Sequence, residues 1–426
     1  MKKVVWIVLG VLVGYVSFLA FYKDPAKKHL IIAEKYEIQK TSDSILKVED
    51  SNAFNNIERT APEVPGHDDI VFFDDRNAAF VTAMDGYIWK VDLKTNAAEK
   101  FVKAPLVPPG ARRHPVQKNK MIFCASKLHG RQHPDSEKVG LYSLNVDTKV
   151  IEPVLQRVFS PEPIDSPANG SIGDSNHGIV YSDANAPKMT FDAMAGEKGM
   201  DMPFCNDLAI SADGNRIYFT APYSYAGASM SGGTFGEAIT LARNGLLWKY
   251  DVPSRVLSLV ARDFNFIDGI LIEENGTTRE ESVLITETTK FKLDRLFVGG
   301  RRAGTHEVVW EHLPGMPDGL DRDSQGRIWI GFVKKRTPIL TWAHAHPWIK
   351  NLFLNLPSFL LPVPKQTGIL ALSRDGSTPL YYSMHDGSRV QDIAVVVPHN
   401  GRIYLPSFNV HSQGLYSLPM PDSLKN

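Results

Sequence analysis

A chain of 426 residues with 43% hydrophobic side chains has enough apolar material for a sizeable core, as two average domains or one large all-β domain. Lysine plus arginine and aspartate plus glutamate balance at 47 each, so no net field steers the protein toward nucleic acid or an acidic partner. Cys124 and Cys205 are the whole cysteine complement, too few for a disulfide framework and without CxxC spacing, and both are expected to be buried thiols.

Val4 to Phe21, VVWIVLGVLVGYVSFLAF, carries no charge and, with Tyr22 and some tilt, reaches across about 30 Å of hydrocarbon as a helix. Lys2 and Lys3 precede it, and the bulky FLAFYKDP offers no small-residue cleavage site, so residues 1–22 read as a retained transmembrane signal anchor. Lysines flank both ends of the span and the positive-inside rule decides little. The expectation is a single pass with the bulk outside the cytoplasm, in a periplasm or secretory lumen. Residues 23–65 are mixed in charge and lack an apolar period, which reads as a connector wrapping onto the domain.

From residue 66 to 420 one pattern returns six times: a polar residue, an apolar strand, a tight turn, a second strand and then a third. The units open at Asp68 (DDIVFFDDRNAAFVTAMDGYIWKVD), His114 (HPVQKNKMIFCAS), Asn206 (NDLAISADGNRIYFTAP), Asp268 (DGILIEENGTTREESVLITET), Asp318 (DGLDRDSQGRIWIGF) and Gln391 (QDIAVVVPHNGRIYLPSF). β-Branched and aromatic runs bounded by Asn-Gly and Asp-Gly turns are hairpin signals. Six small sheets, none able to stand alone, bury their faces by stacking around an axis: an all-β, six-bladed β-propeller behind an N-terminal transmembrane helix. Segments 149–205, 221–245 and 334–366 are rim insertions.

Propeller blades start beside the axis, so the six opening residues should look into the central channel. All are polar, and three are acids. Carboxylates converging there must take up protons or a cation. With no cysteine and at most one histidine in the set, calcium suits these oxygens better than zinc or copper. A calcium with open positions polarises a carbonyl or phosphoryl oxygen. The base beside it is expected among His114, His129 and His133. GxSxG, HExxH, Walker A and GxGxxG patterns are absent, and the glycine-rich GASMSGGTFGEA from Gly227 reads as a mobile rim loop. PILTWAHAHPWIKNLFLNLPSFLLPVP, residues 338–364, carries Trp342, Trp348, Phe353 and Phe359. Helical spacing puts Trp348, Leu352 and Leu356 on one face, as a helix across the propeller mouth, a lid over an apolar pocket, or a segment dipping into a membrane interface.

The stretches NDLAISADGNRIYFT, LITETTKFKLDRLFVGGRRAGTHEVVWEHLPGMPDGLDRDSQGRIWIG and HNGRIYLPSF, with the N-terminal anchor, resemble the strictosidine-synthase-like branch of the six-bladed propellers. That branch lies near the adipocyte plasma membrane-associated proteins and more distantly near the senescence marker proteins, gluconolactonases and paraoxonases. The resemblance covers about residues 60 to 420 and implies a calcium held by Asp68, Asn206, Asp268 and Asp318, with Asp68 where a glutamate is usual and Asp268 where an asparagine is usual. Likeness to the paraoxonases implies a histidine dyad, His114 with His129 or His133. HDGSRVQDIAVVVPHN lacks the last-blade glutamate of true strictosidine synthases, which argues against amine–aldehyde condensation. The function expected is membrane-anchored, calcium-dependent hydrolysis of lactones or aryl esters. The alternatives are a non-catalytic binding propeller with a structural metal and a strictosidine synthase-like carbon–nitrogen lyase.

Overall fold

The computed structural model describes residues 2–27, 30, 35–161, 178–225, 227–275, 280–357, 360–361 and 363–425; parts of the expected insertions 149–205 and 334–366, Phe359 included, lie outside them. Among the described residues six antiparallel sheets form the blades, five of four strands and the third of six, its four blade strands joined at the outer edge by two short strands from the preceding insertion. The inner strands are His67–Phe73, Ala111–Arg113, Leu208–Ile210, Ile267–Asn275, Gly315–Arg322 and Val397–His399. The sixth sheet takes its outer strand from Glu58–Pro65, which pairs with Gln413–Pro419 and so closes the ring with the two ends of the domain. That strand starts inside the stretch expected to be connector. As an outer strand it buries only part of itself and leaves no alternation to read.

The hairpins follow from side chains that hold their own turns. In SADGNR, Asp213 accepts from the Asn215 N–H at 3.0 Å while Gly214 takes φ +76°, and in DSQGR, Asp323 accepts from Gln325 and Arg327 N–H at 3.0 Å with Gly326 at φ +82°. Between blades the apolar faces meet in several buried clusters, with Trp248 fully buried in one and Trp329 in another; each such side chain contributes roughly 1.5–3 kcal/mol.

Among the described residues six α-helices decorate the sheets. α1 (Lys2–Phe21) leads into α2 (Asp43–Leu46), which is capped by Ser42 and lies against the outer strand of blade five. α3 (Phe191–Ala195) and α4 (Thr234–Thr240) belong to blade three's insertions, so GASMSGGTFGEA is partly helical rather than a plain loop. α5 (Pro338–His344) and α6 (Pro347–Asn355) replace the single helix expected in blade five. Pro347 forces the break, because the residue before a proline is pushed out of the helical region and His346 sits at φ −131°, ψ 87°.

α1 is a helix as expected, but among the described residues no helix is long and apolar enough to cross a membrane. Its flanks are exposed from Val5 to Phe18, and only Leu19 and Ala20 are buried, against Leu352 of α6. The last carbonyls of a helix have no partner within it. Here α6 supplies them: the Asn351 amide donates to Ala20 O at 2.7 Å and Tyr22 O at 2.9 Å, and the Asn355 amide to Leu19 O at 3.0 Å. Leu352 and Leu356 therefore face α1, whereas Trp348 is half exposed and meets Trp342 edge to face at 6.4 Å.

The cysteines are a disulfide rather than thiols. Cys124 of blade two and Cys205 ahead of blade three are joined, with Cα atoms 5.3 Å apart.

Candidate active site and metal centre

Four of the six opening residues converge. Asp68, Asn206, Asp268 and Asp318 line the floor of one cavity of about 340 Å³ at the mouth of the channel. The Asn206 amide donates to the Asp268 carboxyl, and Asp268 in turn is hydrogen-bonded to Asp318. Burial pushes the Asp68 and Asp318 carboxyls well above the usual range, and the neighbouring Asp268 adds to the effect on both. Asp268 is raised by burial to about 6, less far because Asp318 and Asn206 hydrogen-bond to it.

A repeated hydroxyl sets these positions. Thr220, at the end of blade three's second strand, accepts from the Asp207 N–H at 3.1 Å and donates to the carbonyl of Asp268 in the next blade at 2.8 Å. Thr286 does the same in blade four, accepting from Gly269 at 2.8 Å and donating to Asp318 O at 2.9 Å. Thr82 links blade one to Pro109 O of blade two in the same way. Thr220 and Thr286 thus pin the backbone of the ring residues Asp268 and Asp318, and Thr82 pins the chain just before blade two's inner strand.

A second, inner tier lies beneath the ring, where Asp69, Asp207 and Arg112 join Asp68, Asp268 and Asp318 around a cavity of about 10 Å³, room for one water or one ion. The donors are hard oxygens suited to calcium or magnesium. Among the described residues no three His, Cys, Asp or Glu side chains stand in the arrangement of a metal cluster. The donor chemistry fits a hard cation, and holding one requires Asp268 to part from Asn206 and Asp318.

His114 and Gln391 do not reach the channel. Blade two's inner strand is Ala111–Arg113, so His114 falls in the following turn, where its Nδ1 accepts from Val116 and Gln117 N–H at 3.2 and 3.0 Å. His133 Nε2 accepts from the Leu128 N–H at 2.9 Å, and His129 lies beside Gly232. None of the three expected histidines lines the cavity. In blade six Asp392, at φ +53°, lines the wall in place of Gln391, which donates to Gly387 O at 2.9 Å. Asp392 is held by Lys334 and by the Asn409 amide at 2.8 Å. Sequence reading missed this trio, since the twist that turns Asp392 inward is a single left-handed residue.

The walls above the floor are mainly apolar. Phe235, Ile239, Leu340, Phe353 and Val363 line them, drawn from α4, α5, α6 and the segment after it. Within α4, Glu237 is fully buried; its Oε1 accepts from Asn244 at 2.7 Å and its Oε2 has no hydrogen-bond partner among the described residues. Burial pushes its carboxyl from 4.5 up to about 8, against the lowering effect of Asn244. A raised folded pKa favours the protonated form, so this stabilisation is full below 4.5 and is lost as pH rises toward 8. Glu237→Gln is therefore expected to leave stability nearly unchanged near pH 5 and to raise it by roughly 3 kcal/mol near pH 9. Thermal melts of both proteins across that range check it, and a gain that is equal at both ends contradicts the assignment.

No family model matches the chain. It is 28% identical over 278 residues to human adipocyte plasma membrane-associated protein, covering 61% of this chain and 63% of that one. It is 29% identical over 230 residues to strictosidine synthase-like 10 of Arabidopsis thaliana, covering 52% and 59%. The match thus spans less than two thirds of the length of either relative. Among solved structures, a gluconolactonase from Xanthomonas campestris aligns over 92% of this chain and 97% of its own at a TM-score of 0.48 and 11% identity. The resemblance carried by the blade motifs is thus seen over about half to three fifths of the chain: in that part this propeller is similar in sequence to the adipocyte plasma membrane-associated and strictosidine synthase-like proteins.

Proposed function

We propose that the protein is a membrane-attached, cation-dependent hydrolase of apolar esters or lactones. The observation that carries this reading is the convergence of Asp68, Asn206, Asp268 and Asp318 on the floor of a cavity whose walls are mainly apolar, with Asp392 and Lys334 on one side. Such walls favour a hydrocarbon body and give few partners to a polyhydroxylated one. Phe235, Ile239, Leu340 and Phe353 would hold an acyl or aryl group so that its one polar function meets the floor. Asp68, Asn206, Asp268 and Asp318 are the side chains that would hold calcium, which when bound polarises a carbonyl and stabilises the oxyanion. Asp392, oriented by Lys334 and Asn409, takes the part of base and accepts the proton of the attacking water, in place of the histidines expected from sequence.

Two features support attachment to a membrane with the propeller in an oxidising compartment. α1 is exposed and apolar on nearly all sides and is tied by Asn351 and Asn355 to the helices that roof the cavity, which also expose Ile339, Trp342 and Trp348. The Cys124–Cys205 disulfide is of the kind that persists in a secretory lumen or periplasm.

The full chain, mixed with phosphatidylcholine vesicles, is expected to float with them and to hydrolyse aryl acetates and aliphatic lactones, with loss of turnover on chelation and recovery on adding calcium. Turnover indifferent to chelation sinks the cation-dependent reading, and a chain that stays in the pellet sinks the membrane one. The condensing alternative keeps one observation in its favour, because a last-blade carboxylate, Asp392, does line the cavity although the stretch has no glutamate. Product from tryptamine and an aldehyde in the same preparation would place it first.

A further inference from the structure

The inner tier of the channel gathers more acid than the outer ring leaves room to neutralise. Asp69 and Asp207 line the small cavity together with Asp68, Asp268 and Asp318 and are buried with little access to water, and Asp321 adds its charge to the field on Arg112. Each of these two commits one oxygen to its own backbone: Asp69 Oδ1 accepts from the Ile70 N–H and Asp207 Oδ1 from the Leu208 N–H, both at 2.8 Å. Their other oxygens accept one backbone N–H each, Asp69 Oδ2 from Ala111 at 3.1 Å and Asp207 Oδ2 from Ile270 at 3.4 Å, and both also face the same guanidinium. That single cation is Arg112, whose Nη1 pairs with Asp69 Oδ2 and whose Nη2 reaches Asp207 Oδ2 at 3.4 Å and the Leu320 carbonyl at 3.2 Å.

We propose that the inner tier is a cation site filled permanently by the side chain of Arg112, and that Arg112 is the positioning residue of the outer ring. Two carboxylate oxygens and a backbone carbonyl facing one buried cation form the donor set a hard divalent ion takes. A planar, always charged fork can satisfy it without an ion, which a compact ammonium cannot match donor for donor. The consequence passes outward along the backbone. Asp69 follows Asp68, Asp207 follows Asn206, and Leu320 lies two residues after Asp318 on the inner strand Gly315–Arg322, so one guanidinium reaches blades one, three and five. Arg112 also faces the ring across the ion-sized cavity, where it limits the channel to one further cation.

This inference deepens the proposed function and shares its outer ring, so the test counts ions by difference. Calcium binding to the full chain in detergent is measured by calorimetry for the wild type, Arg112→Ala and Arg112→Lys, with thermal melts in chelator and in excess calcium. Arg112→Ala is expected to bind one more ion per chain than the wild type and to show a larger rise in melting temperature with calcium. Arg112→Lys, which keeps a tethered charge, is expected to bind the wild-type number. If the outer ring binds nothing, the wild type reads zero and the alanine variant still reads one, which separates failure of the proposed function from failure of this inference. An alanine variant that binds no more than the wild type overturns the proposal, as does one that melts like the wild type in chelator. Should it be recovered unfolded, refolding in the presence of calcium but not of chelator supports the proposal, and refolding in neither overturns it.

Discussion

Asp318→Asn is expected to make the cation-free protein more stable while weakening its affinity for calcium at least about 100-fold. The carboxyl of Asp318 is 8% exposed, touches that of Asp268 and lies in the field of Asp68, with Asp207 beyond. Opposing these the channel holds one guanidinium, already engaged by Asp69 and Asp207. Replacing one carboxylate with an isosteric amide removes like-charge repulsion and the desolvation of one charge, a relief on the order of 2 kcal/mol. The same change deletes a charged donor from the set that would hold the ion. The two effects have opposite signs, so one substitution separates a site built for binding from one built for stability. Melting temperatures of both proteins, each in chelator and in calcium, read the first effect directly. The expected pattern is a variant that melts higher in chelator and no longer responds to calcium. If its melting temperature falls in chelator, the ring is held by a charge balance other than the one described. If calcium still stabilises it fully, Asp318 is not a donor. Turnover measured alongside divides the catalytic reading from a structural metal, since a purely structural ion leaves the apolar cavity and Asp392 in place.

The blade count and the phase of Asp68, Asn206, Asp268 and Asp318 could be read because hairpin turns and strand starts are local features, written in neighbouring residues. What could not be read depends on register or on distance. His114 opens an apolar run much as the others do, but the inner strand of its blade is the short AlaArgArg before it, and a three-residue strand carries too little alternation to be seen. Gln391 misses the channel by one residue because Asp392 adopts a left-handed conformation, a shift invisible in composition. The threonine links were within reach: Thr82 follows Asp69, and Thr220 follows Asp207, by the same 13 residues in two units that align without a gap. Arg112 was not, since its partners lie 43, 95 and 208 residues away and only the closed ring brings them together. The cysteines were misread for a similar reason. Two thiols 81 residues apart give no spacing signal, and only blade packing sets their Cα atoms within bonding reach.

Replacing both Cys124 and Cys205 with alanine is expected to produce the largest loss of stability of any change considered for this chain, and to reach the candidate site as well. The bond closes a loop of 81 residues, for which the chain-entropy estimate is about 4.5 kcal/mol. For a domain of this size each kcal/mol moves the melting temperature by roughly 1–2 °C, so a fall of about 6 °C follows. Both residues are fully buried, which keeps a reductant from opening the bond in the folded state and makes substitution the better test. The effect on the site arises from position. Cys205 immediately precedes Asn206, and the same peptide is held to blade two by Ser126, whose hydroxyl donates to Cys205 O at 2.7 Å and accepts from the Cys205 N–H at 3.0 Å. Covalent and hydrogen-bonded ties therefore converge on the residue that carries Asn206 to the floor of the cavity. Without the covalent tie the peptide keeps only hydrogen bonds, those of Ser126 and those of Asn206 with Thr220 O and the Gly110 N–H, both at 2.9 Å, and a loosened Asn206 must be ordered when an ion or substrate arrives, at a cost of up to about 1–2 kcal/mol for one residue's backbone. Calcium affinity should then fall about tenfold in the double alanine variant, and further when Ser126→Ala is added, while Ser126→Ala alone leaves the disulfide to hold the peptide and changes little. If the double variant melts as the wild type does, the two cysteines are not bonded in the folded protein. If it melts lower but binds calcium unchanged, the disulfide serves the fold alone and Asn206 is positioned by the blade three strand without its help.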